Sequence, residues 1–136
     1  MKIYLAYKLS DRNLEEVKER LLEIDKVVKK LGHETFIFVR DIQKWKPNGE
    51  PKQIMEKAME NMRKCDAILS IIETQEKGEG LLLESGYMKA LGKKVIVASK
   101  PEGRAVLLKG MADEVFEFNN MKEFEEKSRR ILKCKQ

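Results

Sequence analysis

The side chain with the clearest chemical potential is Glu84, in the segment GEGLLLESGYMKALGKKVIVAS at residues 78–99. Its neighbours at helical spacing, Leu81 and Met88, are apolar, so the pattern places this acid on the apolar face of a helix. A carboxylate in such a place is costly unless it is paired, hydrogen-bonded or used in chemistry. The segment therefore indicates either a helix that tilts its acid to solvent or one that uses it.

An ionised, partly desolvated carboxylate suits nucleophilic attack on an anomeric carbon through an oxocarbenium-like transition state. We expect the positive end of the helix dipole to favour the ionised form of Glu84. Tyr4, on a predicted first strand, is either a core aromatic residue or the hydrogen-bond donor that orients this carboxylate. Four further carboxylates are expected near the same crevice: Asp11, Glu73, Glu76 and Glu79.

Several other chemistries are disfavoured by the residues present. The only histidine, His33, precedes the predicted second strand, at the end of the sheet away from the expected site. Cys65 and Cys134 have no metal-ligand spacing, so we expect neither a metal nor a cofactor. No G-x-x-x-x-G-K-[ST] motif occurs, and no G-x-G-x-x-G follows the first strand, so the common phosphate-binding loops are not predicted.

The charge balance favours a small partner. The chain has 28 basic and 23 acidic residues and a net charge of +5, which suits a small anionic metabolite. No basic cluster is interleaved with aromatic residues, so we expect no nucleic-acid binding. No apolar run approaches the ~20 residues of a membrane span, and the N-terminus has no signal-peptide layout, so a cytoplasmic location is expected.

The pattern along the chain predicts one α/β domain over residues 1–136. Helical patterns follow Asn13, Pro51, Gly78 and Asn120. They alternate with apolar or β-branched runs, which predicts a flavodoxin-like three-layer fold with a five-stranded parallel sheet of order 2-1-3-4-5. The predicted strands are Lys2–Tyr7, Glu34–Val39, Asp66–Ile72, Lys94–Ala98 and Val115–Phe118.

The predicted strand order also places the site. In a doubly wound sheet, ligands bind outside the carboxyl ends of the strands where the order reverses, here between the first and third strands. The loop at Tyr7–Asp11 and the segment at Glu73–Glu84 then lie on either side of one crevice. Glu84 therefore lies on the helix that flanks the predicted site.

The chain has a first strand of the KIYLA type, then C-D-A-I-L-S, G-x-G-x-x-x-E-S-G-Y and A-L-G-K-K-V-I-V, and finally E-G-R before G-M-A-D. Together these motifs resemble those of the nucleoside 2-deoxyribosyltransferase superfamily, and within it the 2'-deoxynucleoside 5'-monophosphate N-glycosidases. The resemblance covers nearly the whole chain. Its most specific part is the acid followed by x-G-Y and A-L-G-K.

This resemblance implies roles for particular residues. Glu84 would attack C1' of the 2-deoxyribose, and the covalent deoxyribosyl-enzyme would pass to water or to a second base. Tyr4 would orient that nucleophile. The resemblance also implies a homodimer in which a neighbouring subunit helps to complete the site. The candidate substrate-binding residues are Lys8, Ser10, Gly78, Gly80 and Arg104, of which Lys8, Ser10 and Arg104 are the candidate phosphate contacts.

Some positions depart from the family pattern. Ala58 occupies a position where the family often has an acid, and Gly78 replaces a polar residue. Leu82 replaces a small residue and is expected to narrow the sugar pocket. Two alternatives therefore stay open: a non-catalytic nucleotide-binding module on the same fold, and a Toll/interleukin-receptor-like relative that cleaves NAD. The sequence also leaves open which base and phosphate form are preferred, and whether the glycosidic bond is hydrolysed or the sugar is transferred to a second base.

Overall fold

The computed structural model describes residues 1–8, 13–75 and 78–133, which form a five-stranded parallel sheet with helices on both faces. The order β2-β1-β3-β4-β5 confirms the predicted topology. The strands are β1 (Lys2–Tyr7), β2 (Glu34–Phe36), β3 (Ala67–Ile72), β4 (Lys94–Ser99) and β5 (Glu114–Glu117). The helices are α1 (Leu14–Lys30), α2 (Phe38–Asp41), α3 (Pro51–Arg63), α4 (Glu79–Ala90), α5 (Val106–Met111) and α6 (Met121–Ile131).

The sheet separates two apolar cores, and the alternation of side chains along β1 assigns each residue to one of them. Ile3 and Leu5 are buried in the core formed with α1 and α6. Tyr4 and Ala6 are buried in the core formed with α3, α4 and α5. Because successive side chains of a strand point to opposite faces, this register alone directs Tyr4 towards α4.

A buried polar contact seats α4 on the sheet. The Ser85 hydroxyl donates a hydrogen bond to the Leu81 carbonyl oxygen at 2.7 Å, so the Ser70 hydroxyl of β3 donates to Ser85 Oγ, also at 2.7 Å. Both serines are fully buried, and buried hydroxyls that lack partners are costly. This contact therefore fixes the position of α4 along β3, and Ser85 directly follows Glu84 in the chain.

The second strand is shorter than the sequence predicts. It ends at Phe36, and α2 occupies Phe38–Asp41, where the strand was expected to continue to Val39. The Asp41 carboxylate accepts a hydrogen bond from the Ile37 backbone N–H at 2.9 Å, which satisfies a free amide at the start of this helix. Helix α5 was not predicted at all. The other strands agree with the predicted ranges to within one residue at each end.

His33 connects Met1 to Leu132, the residue directly after α6. Its Nδ1 accepts a hydrogen bond from the Met1 ammonium group at 3.0 Å, and its Nε2 donates to the Leu132 carbonyl oxygen at 2.6 Å. The ring is buried at the amino end of β2, where a structural role suits it. Among the described helices, none has the length and apolar character needed to cross a bilayer.

Candidate active site

A cavity of about 430 Å³ opens at the carboxyl end of β1, between α3 and the start of α4. Its position agrees with the switch point that the strand order predicts. The sheet contributes residues 4–7 of β1, followed by Lys8, and residues between 37 and 49 form one side. Helix α3 contributes Ile54, Met55 and Ala58, and the start of α4 contributes Gly78, Glu79, Gly80, Leu81 and Glu84.

The centre of the cavity is a contact between Tyr4 and Glu84. The Tyr4 hydroxyl donates a short hydrogen bond to Glu84 Oε2. Tyr4 is 1% exposed, and its ring packs against Phe36 with the two ring centroids 5.2 Å apart. The tyrosine is therefore both a core aromatic residue and the partner of the carboxylate, so the two interpretations of Tyr4 do not exclude each other.

The surroundings of Glu84 favour its neutral form. Burial raises the pKa of this carboxyl to about 7, and the hydrogen bond from Tyr4 acts in the opposite direction. Burial, together with the charge of Glu84, raises the pKa of Tyr4 far above its usual range, so Tyr4 keeps its proton and remains the donor. A carboxylate whose pKa is near neutrality and which lines a cavity is typical of a functional site.

The expectation that the helix dipole favours the ionised form of Glu84 is wrong. Glu84 is the sixth residue of α4, which begins at Glu79. The free amides that carry the positive partial charge lie in the first turn of a helix, and the dipole effect falls off beyond that turn. Desolvation therefore outweighs the dipole at Glu84.

One wall of the cavity is apolar. The face of α3 presents Ile54, Met55 and Ala58, and Ala58 is 2% exposed. Two residues with side-chain amides, Gln43 and Asn48, line the cavity from the connection that precedes α3. Neither residue is predicted from the sequence, since a polar connection with a Pro-Asn-Gly turn is no different in sequence from an ordinary surface loop.

Lys8 and Gly78 meet at the mouth of the cavity. A Cβ atom added to Gly78 would lie 3.2 Å from Lys8 Cβ and 3.3 Å from Lys8 Cγ, so the lysine occupies the space that a larger residue 78 would need. Gly80 also lines the cavity. Three further candidates from the sequence, Ser10, Asp11 and Glu76, lie outside the residues that the structure describes.

Arg104, Leu82 and Glu73 are not among the described residues that line the cavity. Arg104 is exposed, and its backbone N–H donates to the Thr74 carbonyl oxygen at 3.4 Å. Leu82 is 36% exposed, because residues two apart on a helix point in nearly opposite directions. The expected narrowing of the sugar pocket by Leu82 is therefore wrong.

Glu73 is held by contacts that stabilise the fold. Its buried carboxylate forms a salt bridge with Arg20 Nε at 2.9 Å and a longer one with Lys100 Nζ at 3.8 Å, and it accepts a hydrogen bond from the Tyr7 hydroxyl at 3.1 Å. These contacts tie β1, β3, α1 and the end of β4 together. In the described parts of the chain, no group of three His, Cys, Asp or Glu residues is arranged to hold a metal ion.

The fold and the cavity define the class of protein. It is a doubly wound α/β protein in which a tyrosine donates a hydrogen bond to a carboxylate at the point where the strand order of the sheet reverses. The family model for nucleoside 2-deoxyribosyltransferase matches residues 3–125 of the sequence. The chain therefore belongs to the nucleoside 2-deoxyribosyltransferase family, which confirms the resemblance found in its motifs. A search of curated protein sequences finds no match.

Solved structures share the fold across nearly the whole chain. The CMP N-glycosidase BcmB of Clostridium botulinum is 19% identical, covers 96% of this chain and 99% of its own, and has a TM-score of 0.72. A 2-deoxyribosyltransferase from Bacillus psychrosaccharolyticus is 22% identical over 99% of this chain and 98% of its own, also with a TM-score of 0.72. A conserved protein from Enterococcus faecalis V583 is 13% identical over 96% and 98%, with a TM-score of 0.74.

The raised pKa of Glu84 predicts a pH-dependent stability that Glu84→Gln removes. The pKa is about 7 in the fold against 4.5 ordinarily, so the folded state holds the proton more tightly and its stability falls as the pH rises between these values. Glutamine stays neutral and keeps an oxygen acceptor for Tyr4. Urea unfolding at about pH 5 and about pH 8 measures the effect. The unfolding free energy of the native chain should fall more than that of the variant, and equal falls would contradict the raised pKa.

Proposed function

We propose that this chain cleaves or transfers the N-glycosidic bond of a 2'-deoxynucleoside or its 5'-monophosphate through a covalent deoxyribosyl-Glu84. The observation that supports this most directly is the Tyr4–Glu84 hydrogen bond inside the cavity. A nucleophile must be held in one orientation and partly desolvated to attack a sugar carbon efficiently. The contact with Tyr4 and the burial of Glu84 meet both conditions.

The proposed reaction has two displacements at C1'. In the first, an ionised Glu84 oxygen bonds to C1', the bond from C1' to the base nitrogen breaks, and its electron pair leaves with the base, which takes a proton from water. In the second, an oxygen of water or a nitrogen of another base bonds to C1', the bond from C1' to Glu84 breaks and releases the carboxylate, and the attacking molecule loses one proton to solvent. The Tyr4 hydroxyl keeps its proton throughout and holds the carboxylate towards the sugar.

The lining of the cavity favours a nucleotide. Lys8 is a cation at the mouth, where a 5'-phosphate is the anionic group that such a substrate would present. The amides of Gln43 and Asn48 offer both donors and acceptors for the polar edge of a base. Two similar structures act on related substrates, one being a CMP N-glycosidase and the other a 2-deoxyribosyltransferase. Both hydrolysis and transfer are therefore included in the proposal.

Base release from a panel of substrates tests the proposed function. The panel contains the four 2'-deoxynucleosides, their 5'-monophosphates, CMP and NAD, each with and without an acceptor base, and chromatography detects the free base. We expect release from at least one deoxynucleoside or its monophosphate. In Glu84→Gln the rate should fall at least about a thousandfold, because a neutral amide is a poor nucleophile.

A trapping measurement identifies the nucleophile. Rapid acid quenching of the native chain with substrate should yield protein whose mass has increased by one deoxyribosyl unit, with the label on the peptide that contains Glu84. Turnover that survives Glu84→Gln would contradict the proposal. Tight nucleotide binding without base release would instead favour a non-catalytic binding module, the alternative that the apolar wall around Ala58 supports.

We further propose that the chain assembles as a homodimer through α4 and α5. These two helices pack against each other, and Leu83, Val106 and Leu107 on them are 52%, 74% and 89% exposed. Exposed apolar side chains grouped on neighbouring elements are typical of a protein interface. Because α4 also carries Glu84, such an interface would be continuous with the element that holds the proposed nucleophile.

Leu107→Lys should convert the proposed dimer into a monomer, because it places a charge within an apolar contact. Size-exclusion chromatography with light scattering measures the mass in solution. Leu22→Lys is the matched control, because Leu22 is an apolar residue 41% exposed on α1, which packs on the opposite face of the sheet from α4 and α5. The control should keep the dimer mass. A native chain that is already monomeric would contradict this proposal and leave the proposed chemistry to its own test.

A further inference from the structure

The segment at residues 43–49 separates two cavities, and we call it the partition. On one side lies the cavity that contains Glu84, and on the other lies a second cavity of about 560 Å³. Both cavities are lined by Phe38, Gln43, Asn48, Gly49 and Ile54. A segment with open space on both sides has few neighbours to hold it, so its position depends on the contacts it does make.

The backbone of the partition is strained at two consecutive residues. Lys44 has φ of 53° and Trp45 has φ of 65°. L-residues other than glycine rarely adopt this left-handed conformation, and it persists only where surrounding contacts impose it. Something outside the partition must therefore hold these two residues in place.

The side chain of Trp45 supplies such contacts. It packs, partly buried, against the core between α1 and the sheet, and Lys18 Nζ of α1 lies 5.2 Å from its ring centroid. The Trp45 backbone N–H donates to the Val39 carbonyl oxygen at 2.7 Å. Tryptophan is the ring that cations prefer, and its large apolar surface gains most from burial. Trp45 thus binds the partition to a rigid part of the fold.

Hydrogen bonds inside the partition connect Trp45 to the cavity wall. The Lys46 backbone N–H donates to the Gln43 carbonyl oxygen at 3.0 Å, and Gln43 Nε2 donates to the Asn48 carbonyl oxygen at 2.8 Å. Gln43 and Asn48 line the cavity, whereas Trp45 does not. Fixing the backbone at Trp45 therefore fixes the positions of Gln43 and Asn48, two residues that line the cavity.

We propose that Trp45 is a positioning residue for substrate binding. It anchors the partition, and so fixes Gln43 and Asn48, which line the same cavity as Glu84. The link to substrate rests on the function proposed above, whereas the anchoring itself does not. Because Trp45 touches neither Tyr4 nor Glu84 in the described contacts, its loss should weaken substrate binding much more than it slows the chemical step.

Hydrogen exchange tests the anchoring without any substrate. In Trp45→Ala, the backbone amides of Gln43, Trp45 and Lys46, which are hydrogen-bonded in the native fold, should exchange about tenfold faster or more, while β1 and α4 keep their native protection. Trp45→Phe, which retains an aromatic ring, should restore most of the protection. If the alanine variant does not fold, Trp45→Leu takes its place. Native exchange rates in the partition of a folded variant would overturn the proposal.

Steady-state kinetics test the link to substrate. With a nucleotide that the native chain cleaves, Trp45→Ala should raise KM about tenfold and change kcat less than about threefold, and Trp45→Phe should reverse most of the rise. Faster exchange with an unchanged KM, or a fall in kcat alone, would overturn the positioning role. If no substrate is cleaved by the native chain, the proposed function fails, and hydrogen exchange still decides the anchoring.

Discussion

The hydrogen bond from Tyr4 to Glu84 is the interaction on which the cavity depends. Burial disfavours the charge of Glu84, and the tyrosine partly offsets that cost because its hydrogen bond favours the ionised form. The Tyr4 hydroxyl must therefore be placed within hydrogen-bond distance of the Glu84 carboxylate. The register of β1 directs Tyr4 to the correct face of the sheet, and the buried contact between Ser70 and Ser85 fixes α4 beside it. The sheet and one helix thus hold this buried carboxylate at one point of the cavity.

Much of this arrangement could be predicted from the sequence, because it follows from local patterns. Apolar runs such as AILSII indicate strands buried on both faces, and their alternation with helices indicates a parallel doubly wound sheet, for which 2-1-3-4-5 is a common order. That order brings the end of β1 and the start of α4 to one crevice. The apolar neighbours of Glu84 already marked it as unusual, and the family motifs gave the same residue a role. The fold and the pair at its centre were therefore accessible without coordinates.

Other features depend on tertiary contacts that leave no local pattern. The segment Phe38–Asp41 has the apolar character of a strand, yet Asp41 accepts a hydrogen bond from Ile37 and a short helix forms. The partition at residues 43–49 depends on a left-handed backbone at Trp45, which nothing in a tryptophan's identity signals. The pKa of Glu84 depends on how deeply α4 packs, and no sequence rule gives that depth. The wall and the electrostatics of the site therefore required the structure.

The central claim is that Tyr4 stabilises ionised Glu84 as the nucleophile, and the pH dependence of base release in Tyr4→Phe tests it most directly. In the native chain, kcat/KM should rise with pH through an apparent pKa of about 7, as Glu84 ionises. Phenylalanine keeps the ring in the core but removes the hydrogen bond that lowers the pKa of Glu84. The rise should therefore move to higher pH in the variant. A rise that stays in place or moves to lower pH would contradict the account.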